Sequence, residues 1–391
     1  MASLVHETGT RRARLLIGGQ WTDGEGSSPV FDKFLGTVIG DVALGGRDQV
    51  DQAVAAAKRS FEAARLEPYE RYRILLRTAE LIEAHRDEFV PLIVAEAGFP
   101  VSDASNEVSR AAQTFTISAE EAKRLVGEVV PLESAPGHAH RLAFSIRVPR
   151  GVVCGITSFN SPLNMVAHKV APALAAGNTV VLKPPQQTPF SATLLFELML
   201  EAGLPPGHAN LVLGSGRDVG GWLVENQDIR FFTFTGSTDV GRQLQRAVGL
   251  RPITLELGSI AASIVCDDAD LQRAATRIAM SAFRRAGQMC TSTQKLLVDE
   301  RVLDDFLPLF LNATRSLKVG DPRDPDTALG PMISEKDAMR AESCTSGTPP
   351  TCRRRPPRCP SICSTRSPPT RCPTRTKTAI SSSTTSMPRT S

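Results

Sequence analysis

Apolar and charged residues alternate with a period of three to four along the first third of the chain. Val50 and Val54, for example, share one face with charged residues between them. This period predicts amphipathic helices after a β-like start between Leu15 and Phe31. The helices are predicted over 48–66, 70–90 and 102–125.

Residues 126–149 break the helical period. Two β-like segments, 127–131 and 142–148, flank the turn signal Pro136-Gly137. This pattern predicts a two-stranded β-ribbon. An isolated ribbon is marginally stable in water. We therefore expect it to pack on another surface, such as a second subunit.

From residue 150 onward, short β-rich runs alternate with helical patterns, which is typical of βαβ units and a parallel sheet. Strands are predicted at Val152–Thr157, Thr179–Lys183, Ala209–Leu213, Arg230–Thr235 and Ile260–Cys266. Helices are predicted at 163–176, 190–202, 217–225 and 237–248. A helix at 269–285, a strand at Gln294–Val298 and a helix at 301–316 are expected to begin a second domain. Ligands of such sheets bind beyond the carboxyl ends of the strands.

The composition is that of a globular protein, with 41% apolar and 22% charged residues in 391. Only Cys154, Cys266 and Cys290 precede residue 343, and three scattered cysteines do not make a disulfide framework. The chain has neither a signal-peptide pattern nor a long uncharged apolar run. We therefore expect a cytoplasmic protein that does not bind membranes.

The net charge of +4 comes from one end of the chain, because residues 343–391 hold nine Lys/Arg and no Asp/Glu. This segment is rich in Pro, Ser and Thr, and we expect it to be disordered. It could be a basic tail for nucleic acid or anionic lipid, but it has no aromatic residue to stack on bases. The abrupt change favours the alternative that the gene is read out of frame here, so nucleic acid is not an expected partner.

Chemistry-bearing residues follow several predicted strands. The segments are Thr157-Ser158-Phe159-Asn160-Ser161-Pro162, Lys183-Pro184-Pro185, Thr235-Gly236-Ser237-Thr238-Asp239-Val240-Gly241 and Leu255-Glu256-Leu257-Gly258. Gly236 and Ser237 open a helix, where bare backbone N–H groups suit a phosphate, although a plain capped turn has the same pattern. Lys183 is a cation directly after a predicted strand. It could bind ribose hydroxyls or phosphate, or it could be a solvated lysine at the strand end.

Three side chains are candidates for catalysis. Cys290, in Gly287-Gln288-Met289-Cys290, is a candidate nucleophile or an inert thiol. Glu256 is a candidate general base or a carboxylate paired at a strand end. Asn160 could donate its amide to an oxyanion, or form an Asx turn before a proline.

The order and spacing of these motifs closely resemble the aldehyde dehydrogenase superfamily, from about residue 15 to about residue 335. The resemblance implies an α/β fold with a Rossmann-like parallel-sheet cofactor domain, an incomplete α/β catalytic domain and a β-ribbon oligomerisation arm. The implied divisions are 1–125 with 150–257 for the cofactor domain, 126–149 for the ribbon, 258–340 for the partial catalytic domain and 341–391 for a disordered tail.

The resemblance also implies a mechanism. Cys290 would attack the aldehyde, Asn160 and the Cys290 backbone N–H would hold the oxyanion, and Glu256 would activate water to hydrolyse the thioester. A coenzyme-A-acylating enzyme shares the thioester, but it needs no water-activating base. A catalytically inactive fragment of such an enzyme is the other alternative.

The implied cofactor is NAD, with NADP also compatible. Its implied contacts are Thr157, Ser158, Phe159, Lys183, Gln186, Gly236, Ser237, Val240, Gly241 and Leu257. The implied substrate is a small aldehyde in a tunnel bordered by Met165, His168, Met289 and Thr291. No His/Cys cluster has metal-ligand spacing, so no metal is expected.

Three departures from the family pattern stand out. Ser259 replaces a usual second Gly after Leu257-Gly258. Gln186 stands where NAD-preferring members often have Glu, and a neutral side chain there would not repel the 2′-phosphate of NADP. The family's later Glu-x-Phe-Gly-Pro motif and last strand are absent from the sequence. The family's homodimer or homotetramer would therefore be impaired here.

Overall fold

The computed structural model describes residues 11–63 and 65–345. Its fold is α/β. The strands are β1 (Arg11–Ala13), β2 (Leu15–Ile17), β3 (Gln20–Thr22), β4 (Gly26–Phe31), β5 (Val38–Leu44), β6 (Val129–Val130), β7 (Ala143–Phe144), β8 (Val152–Ile156), β9 (Thr179–Lys183), β10 (Ala209–Leu211), β11 (Ile229–Thr235), β12 (Ile253–Glu256), β13 (Ala262–Val265) and β14 (Lys295–Val298).

The α-helices follow the same alternation with the strands. They are α1 (Arg47–Ala63), α2 (Pro68–Ala84), α3 (Arg86–Ala97), α4 (Val101–Ala122), α5 (Asn164–Ala175), α6 (Phe190–Glu201), α7 (Asp218–Glu225), α8 (Thr238–Ala247), α9 (Leu271–Phe283), α10 (Leu303–Arg315) and α11 (Glu335–Thr345).

A seven-stranded sheet organises the larger part of the fold, in the order β12-β11-β8-β9-β10-β2-β3. Its first five strands are parallel, as the alternation of strands and helices predicts. The antiparallel hairpin β2–β3 extends it beside β10. The sequence pattern did not foresee that this hairpin joins the parallel sheet, because the pairing is between residues about two hundred positions apart.

Two local predictions differ from the structure. The helix predicted over 70–90 is two helices, α2 and α3, because His85 leaves the helical conformation with ψ 22 and ends the first of them. The strand β5 was missed. It pairs with both β1 and β4 to form a separate three-stranded sheet.

Buried apolar residues fall into three clusters. The largest packs helices α2 to α6 on one face of the main sheet, around Phe89, Phe115 and Phe196. The second covers the other face through α1 and α7. The third lies between α9, α10 and the parallel pair β13–β14, around Phe306 and Phe310. Both faces of the parallel sheet are therefore covered, as such sheets require.

The predicted ribbon is present, since β6 pairs antiparallel with β7. Helix α11 continues to Thr345, five residues into the segment predicted as a tail. The remainder of that tail lies outside the described residues. Among residues 11–63 and 65–345, no helix is both long and apolar enough to cross a membrane.

Candidate active site

The carboxyl ends of four parallel strands meet at one edge of the sheet. Ile156 is in register with Lys183, and Thr235 is in register with Glu256. The segments that follow these strands therefore lie side by side, although they are up to about a hundred residues apart in sequence. Four of the sequence motifs are thus gathered at the edge where open α/β sheets bind ligands.

Helix α8 begins at this edge with a capped and exposed first turn. The Ser237 hydroxyl accepts a hydrogen bond from the Val240 N–H at 3.4 Å, and the Gly236 N–H donates to the Glu256 carbonyl at 3.0 Å. A Cβ on Gly241 would collide with the Leu257 side chain. Glycine therefore lets α8 pack closely on the segment after β12 without displacing the Leu257 side chain. The turn leaves backbone N–H groups at a helix N-terminus, an arrangement suited to phosphate.

Lys183 and Thr157 are buried at the carboxyl ends of β9 and β8, the two strands that follow β11 in the sheet. Burial lowers the pKa of Lys183 from 10.5 to about 8, and its Nζ donates to the Pro184 carbonyl at 3.1 Å. The Thr157 hydroxyl is buried without a hydrogen-bond partner. Gln186 follows in the loop after β9 and is half-buried. A buried ammonium and an unpaired hydroxyl are the groups that a polar ligand such as a ribose would satisfy.

Asn160 holds a fixed orientation. Its Oδ1 accepts from the Ser158 hydroxyl at 2.7 Å, and its Nδ2 donates to the Gln288 carbonyl at 2.7 Å. A side-chain amide nitrogen carries two hydrogens. One is used on Gln288, which leaves the second for an oxyanion.

The loop that carries Cys290 is anchored at several points around an exposed thiol. The Gln288 Nε2 donates a hydrogen bond to the Arg285 carbonyl at 3.0 Å. The Gln288 Oε1 accepts one from the Ile333 N–H at 3.1 Å. The Ser259 hydroxyl donates to the Cys290 carbonyl. Ser259, the departure noted in the sequence, therefore contacts the backbone of the candidate nucleophile.

Glu256 lies close to a lysine and a histidine of helix α5. Burial lowers the pKa of Lys169, and the negative charge of Glu256 opposes this shift. The pKa of His168 is lowered first by burial and then by Arg110 and Lys169, and Glu256 again opposes the shift. Glu256 itself is an exposed residue, reachable by solvent.

The other residues predicted for the site have the following positions in the structure. Phe159 and Leu257 are half-buried beside the strand ends, and Val240 is exposed on the first turn of α8. Met165 and His168 lie on α5, and Met289 and Thr291 flank Cys290. Within the described part of the chain, no group of His, Cys, Asp or Glu is arranged to hold a metal ion.

Sequence reasoning missed three buried charged residues around this site. Lys169, Glu107 and Arg285 are each no more than 5% exposed. The Arg285 Nη2 lies 2.7 Å from Glu107 Oε2, and its Nη1 donates to the Asn160 carbonyl at 2.6 Å. A charged residue on an otherwise apolar helix face was the available signal for Lys169, whose neighbours Val166 and Val170 are buried. No sequence signal identified the other two, because their pairing joins residues 178 positions apart.

Comparison with known proteins shows the family of the chain. Residues 21–348 match the aldehyde dehydrogenase family. The chain is 44% identical to the 3-sulfolactaldehyde dehydrogenase of Priestia aryabhattai, over 86% of this chain and 70% of that protein. It is 39% identical to the NADP(+) succinate-semialdehyde dehydrogenase of Escherichia coli strain K12, over 86% and 70% respectively.

A solved structure extends the likeness to three dimensions. The NAD-dependent aldehyde dehydrogenase of Sinorhizobium meliloti superposes with a TM-score of 0.82 at 34% identity, covering 85% of this chain and 67% of that one. The chain therefore spans about two thirds of the length of these proteins. The family match and the level of identity together show that this chain belongs to the aldehyde dehydrogenase family.

Proposed function

We propose that the protein oxidises an aldehyde to a carboxylate, with Cys290 as the nucleophile and NAD or NADP as the hydride acceptor. The observation that carries this proposal is the bond from the Asn160 amide to the Gln288 carbonyl, two residues before an exposed cysteine. It supports the assignment of Asn160 as an oxyanion donor and of Cys290 as the nucleophile.

In this mechanism, the Cys290 thiolate attacks the aldehyde carbon and forms a thiohemiacetal. The second hydrogen of the Asn160 amide and the Cys290 backbone N–H stabilise the oxyanion. A bound nicotinamide would supply the hydride acceptor, and loss of hydride from the thiohemiacetal carbon would leave a thioester on Cys290. Glu256 takes a proton from water, and the resulting attack releases the carboxylic acid and regenerates the thiol.

The residues present fit a dinucleotide. The first turn of α8 offers N–H groups to the pyrophosphate, with Ser237 beside them. The buried Lys183 ammonium and the unpaired Thr157 hydroxyl lie where the adenosine ribose would need donors. Leu257, packed against Gly241, borders the nicotinamide end.

We further propose that the aldehyde carries an anionic group. Arg110 on α4 is exposed, it lies close enough to His168 to lower the pKa of that imidazole, and it has no ion pair among residues 11–63 and 65–345. A cation beside the predicted tunnel suits a carboxylate or sulfonate. The two relatives described above are named for 3-sulfolactaldehyde and succinate semialdehyde, which both have such a group.

The exposed ribbon supports a homodimer or homotetramer, which we propose as the assembly. Leu142 is 80% exposed and Phe144 is 67% exposed, an unfavourable arrangement in an isolated chain. Light scattering after size exclusion tests this point. An assembly of the native protein that the Phe144→Ser variant loses would support it, and a monomer that shows no concentration dependence would contradict it.

The central experiment is to supply the purified chain with anionic and neutral aldehydes of equal length and to follow reduced cofactor and carboxylate. We expect one carboxylate per reduced cofactor, and no product with Cys290→Ala. Cys266→Ala, which alters another exposed thiol, is the matched control. Product that requires coenzyme A would instead favour the acylating alternative, and no product with any aldehyde would contradict the proposal.

The preference for an anionic group is tested with Arg110→Gln. We expect kcat/KM for a carboxylate-bearing aldehyde to fall about 10- to 100-fold, the usual range for a lost charge-assisted hydrogen bond. The neutral aldehyde should change by less than about twofold. Arg77→Gln, which alters an exposed arginine of α2 paired with Glu80, is the control. An equal loss for both aldehydes would contradict the anionic preference.

A further inference from the structure

Two consecutive arginines before Cys290 have different environments. Arg284 is half-buried, and its Nε lies 2.6 Å from Asp103 Oδ1. Arg285 is only 4% exposed. Burial of a guanidinium is costly unless its charge is paired, and the Arg285 guanidinium is paired through Nη1 and Nη2, while its Nε is buried without a hydrogen-bond partner. The bonds that Arg285 makes therefore identify what it does.

Arg285 connects the turn that carries Asn160 to helix α4. Its Nη1 donates to the Asn160 carbonyl at 2.6 Å, and its Nη2 donates to Glu107 at 2.7 Å. The guanidinium carbon also lies 4.1 Å from the centre of the Phe99 ring. A planar cation held by two hydrogen bonds and one ring has little freedom to move.

Glu107 also binds the turn that carries Asn160, through residues that follow Asn160. It accepts from the Ser161 hydroxyl at 2.7 Å and from the Asn164 N–H at 2.9 Å. The Asn160 turn is therefore held on both flanks by one buried ion pair. Asn160 in turn bonds through its side chain to Gln288, which closes a ring of contacts between this turn and the Cys290 loop.

The backbone at Arg285 is strained. Arg285 has φ 53, Ala286 has φ 54 and Gly287 has φ 71, so three consecutive residues are left-handed. In the described part of the chain, Arg285 and Ala286 are the only residues other than glycine that have a positive φ. Strain of this kind persists only where surrounding contacts hold it, and it clusters at functional sites.

We propose that Arg285 and Glu107 form a positioning pair, which fixes Asn160 so that its free amide hydrogen is held ready for the oxyanion on Cys290. The inference rests on the proposed function, because it assigns a task to the same oxyanion donor. Arg285 does not touch the reacting atoms. It acts through Asn160, and this dependence can be measured.

The test uses a reaction of Cys290 that needs no cofactor. With p-nitrophenyl acetate, the sulfur attacks the ester carbonyl, the carbon–oxygen bond to p-nitrophenolate breaks, and the thiol proton passes to solvent. The acetylated cysteine is located by peptide mass spectrometry, and its formation rate is followed by released p-nitrophenolate. The tetrahedral intermediate needs the same oxyanion donor as the aldehyde reaction.

Arg285→Gln should slow acetylation of Cys290 at least about tenfold, because a misplaced donor loses much of its contribution. Arg285→Lys, which can restore one of the two hydrogen bonds, should recover part of the rate. Arg284→Gln, at the neighbouring position, should stay within about twofold of the native rate. Glu107→Gln gives a second way to break the pair if Arg285→Gln does not fold, as judged by thermal unfolding.

The deciding comparison is made in an Asn160→Ala background. If Arg285 acts through Asn160, adding Arg285→Gln there should cause no further loss of rate. A further loss as large as in the native background would overturn the proposal, as would native protein that is not acetylated at Cys290. If acetylation depends on Arg285 while no aldehyde is oxidised, the proposed function fails and the positioning role stands.

Discussion

The side-chain nitrogen of Asn160 lies 2.7 Å from the backbone carbonyl oxygen of Gln288, 128 positions later in the chain. This contact ties the turn after the first strand of the parallel sheet to the loop of the exposed Cys290. It is the point where the predicted cofactor and catalytic parts of the molecule meet.

Removal of the Asn160 amide should lower kcat strongly and change the KM for the aldehyde little. We expect Asn160→Ala to lower kcat by about 10²–10³, the usual effect of losing one oxyanion donor. The KM for the aldehyde should change little, since the donor acts mainly on the transition state. Asn312→Ala, at an exposed site on α10, is the control. Steady-state kinetics that show an unchanged kcat would remove Asn160 from the mechanism.

Glu256 should matter after hydride transfer rather than before it. Glu256→Gln removes the base that activates water, so the thioester should accumulate on Cys290. Rapid mixing should show one equivalent of reduced cofactor per active site, followed by turnover slowed at least about 10²-fold. Glu201→Gln, which alters an exposed residue at the end of α6, should behave as the native protein does. A burst that disappears in Glu256→Gln would instead place Glu256 before hydride transfer.

Cofactor choice should respond to the charge at position 186. A carboxylate in Gln186→Glu would accept hydrogen bonds from ribose hydroxyls and repel a 2′-phosphate. The ratio of kcat/KM for NADP to that for NAD should therefore fall about tenfold or more. The adjacent exposed Gln187→Glu is a matched control, since it adds the same charge one residue away. If this ratio fell equally in Gln186→Glu and Gln187→Glu, the added negative charge would act through the general electrostatic field and not through contact with the ribose.

Cofactor affinity should weaken as Lys183 loses its proton. Burial lowers the pKa of this ammonium to about 8, so its charge is present below that pH and lost above it. The Kd for NADP should rise by roughly tenfold between about pH 7 and about pH 9, as a charged donor becomes a neutral one. In Lys183→Met, the Kd should be weaker throughout and should lack this dependence. Calorimetry or fluorescence quenching measures the Kd of native protein and of Lys183→Met at each pH. If the two proteins showed the same dependence of Kd on pH, Lys183 would not be the group that titrates.

Stability should respond to pH through Glu96. This carboxylate is fully buried at the start of α6, where it accepts from the N–H groups of Phe190 at 2.8 Å and Ser191 at 3.0 Å. Burial raises its pKa from 4.5 to about 7, even though these hydrogen bonds and Lys33 oppose the shift. Between these values the folded state binds more protons than the unfolded state does. The contribution of Glu96 to the free energy of unfolding therefore falls as pH rises through this window.

The measurement compares native protein with Glu96→Gln by chemical denaturation. The difference in their free energies of unfolding should change by up to about 3 kcal/mol between about pH 5 and about pH 8. The native protein should become less stable relative to Glu96→Gln at the higher pH. Glu201→Gln should show no such divergence. Parallel pH profiles for native protein and Glu96→Gln would place the titration elsewhere.

Much of the fold was predictable because it depends on local periodicity. Strand β9 was predicted with both ends correct, and β8, β11 and β14 were predicted to within one residue at either end. The period-two and period-3.6 patterns of buried residues set these elements directly. The missed β5 and the break at His85 lacked such a signal. One is a strand of a separate small sheet, and the other interrupts an apolar pattern that continues on both sides.

By itself, the sequence determined the alternation of strands and helices, the edge at which ligands are expected to bind, and the candidate residues Asn160, Lys183 and Glu256 that follow its strands. Tertiary structure alone decided the buried ion pair of Arg285 with Glu107 and the approach of Lys169 to Glu256. Pattern and spacing report local geometry, because each residue's neighbours in sequence fix its backbone. A buried charge is stable only when distant segments bring its partner within hydrogen-bond reach, and that pairing exists only in the folded chain.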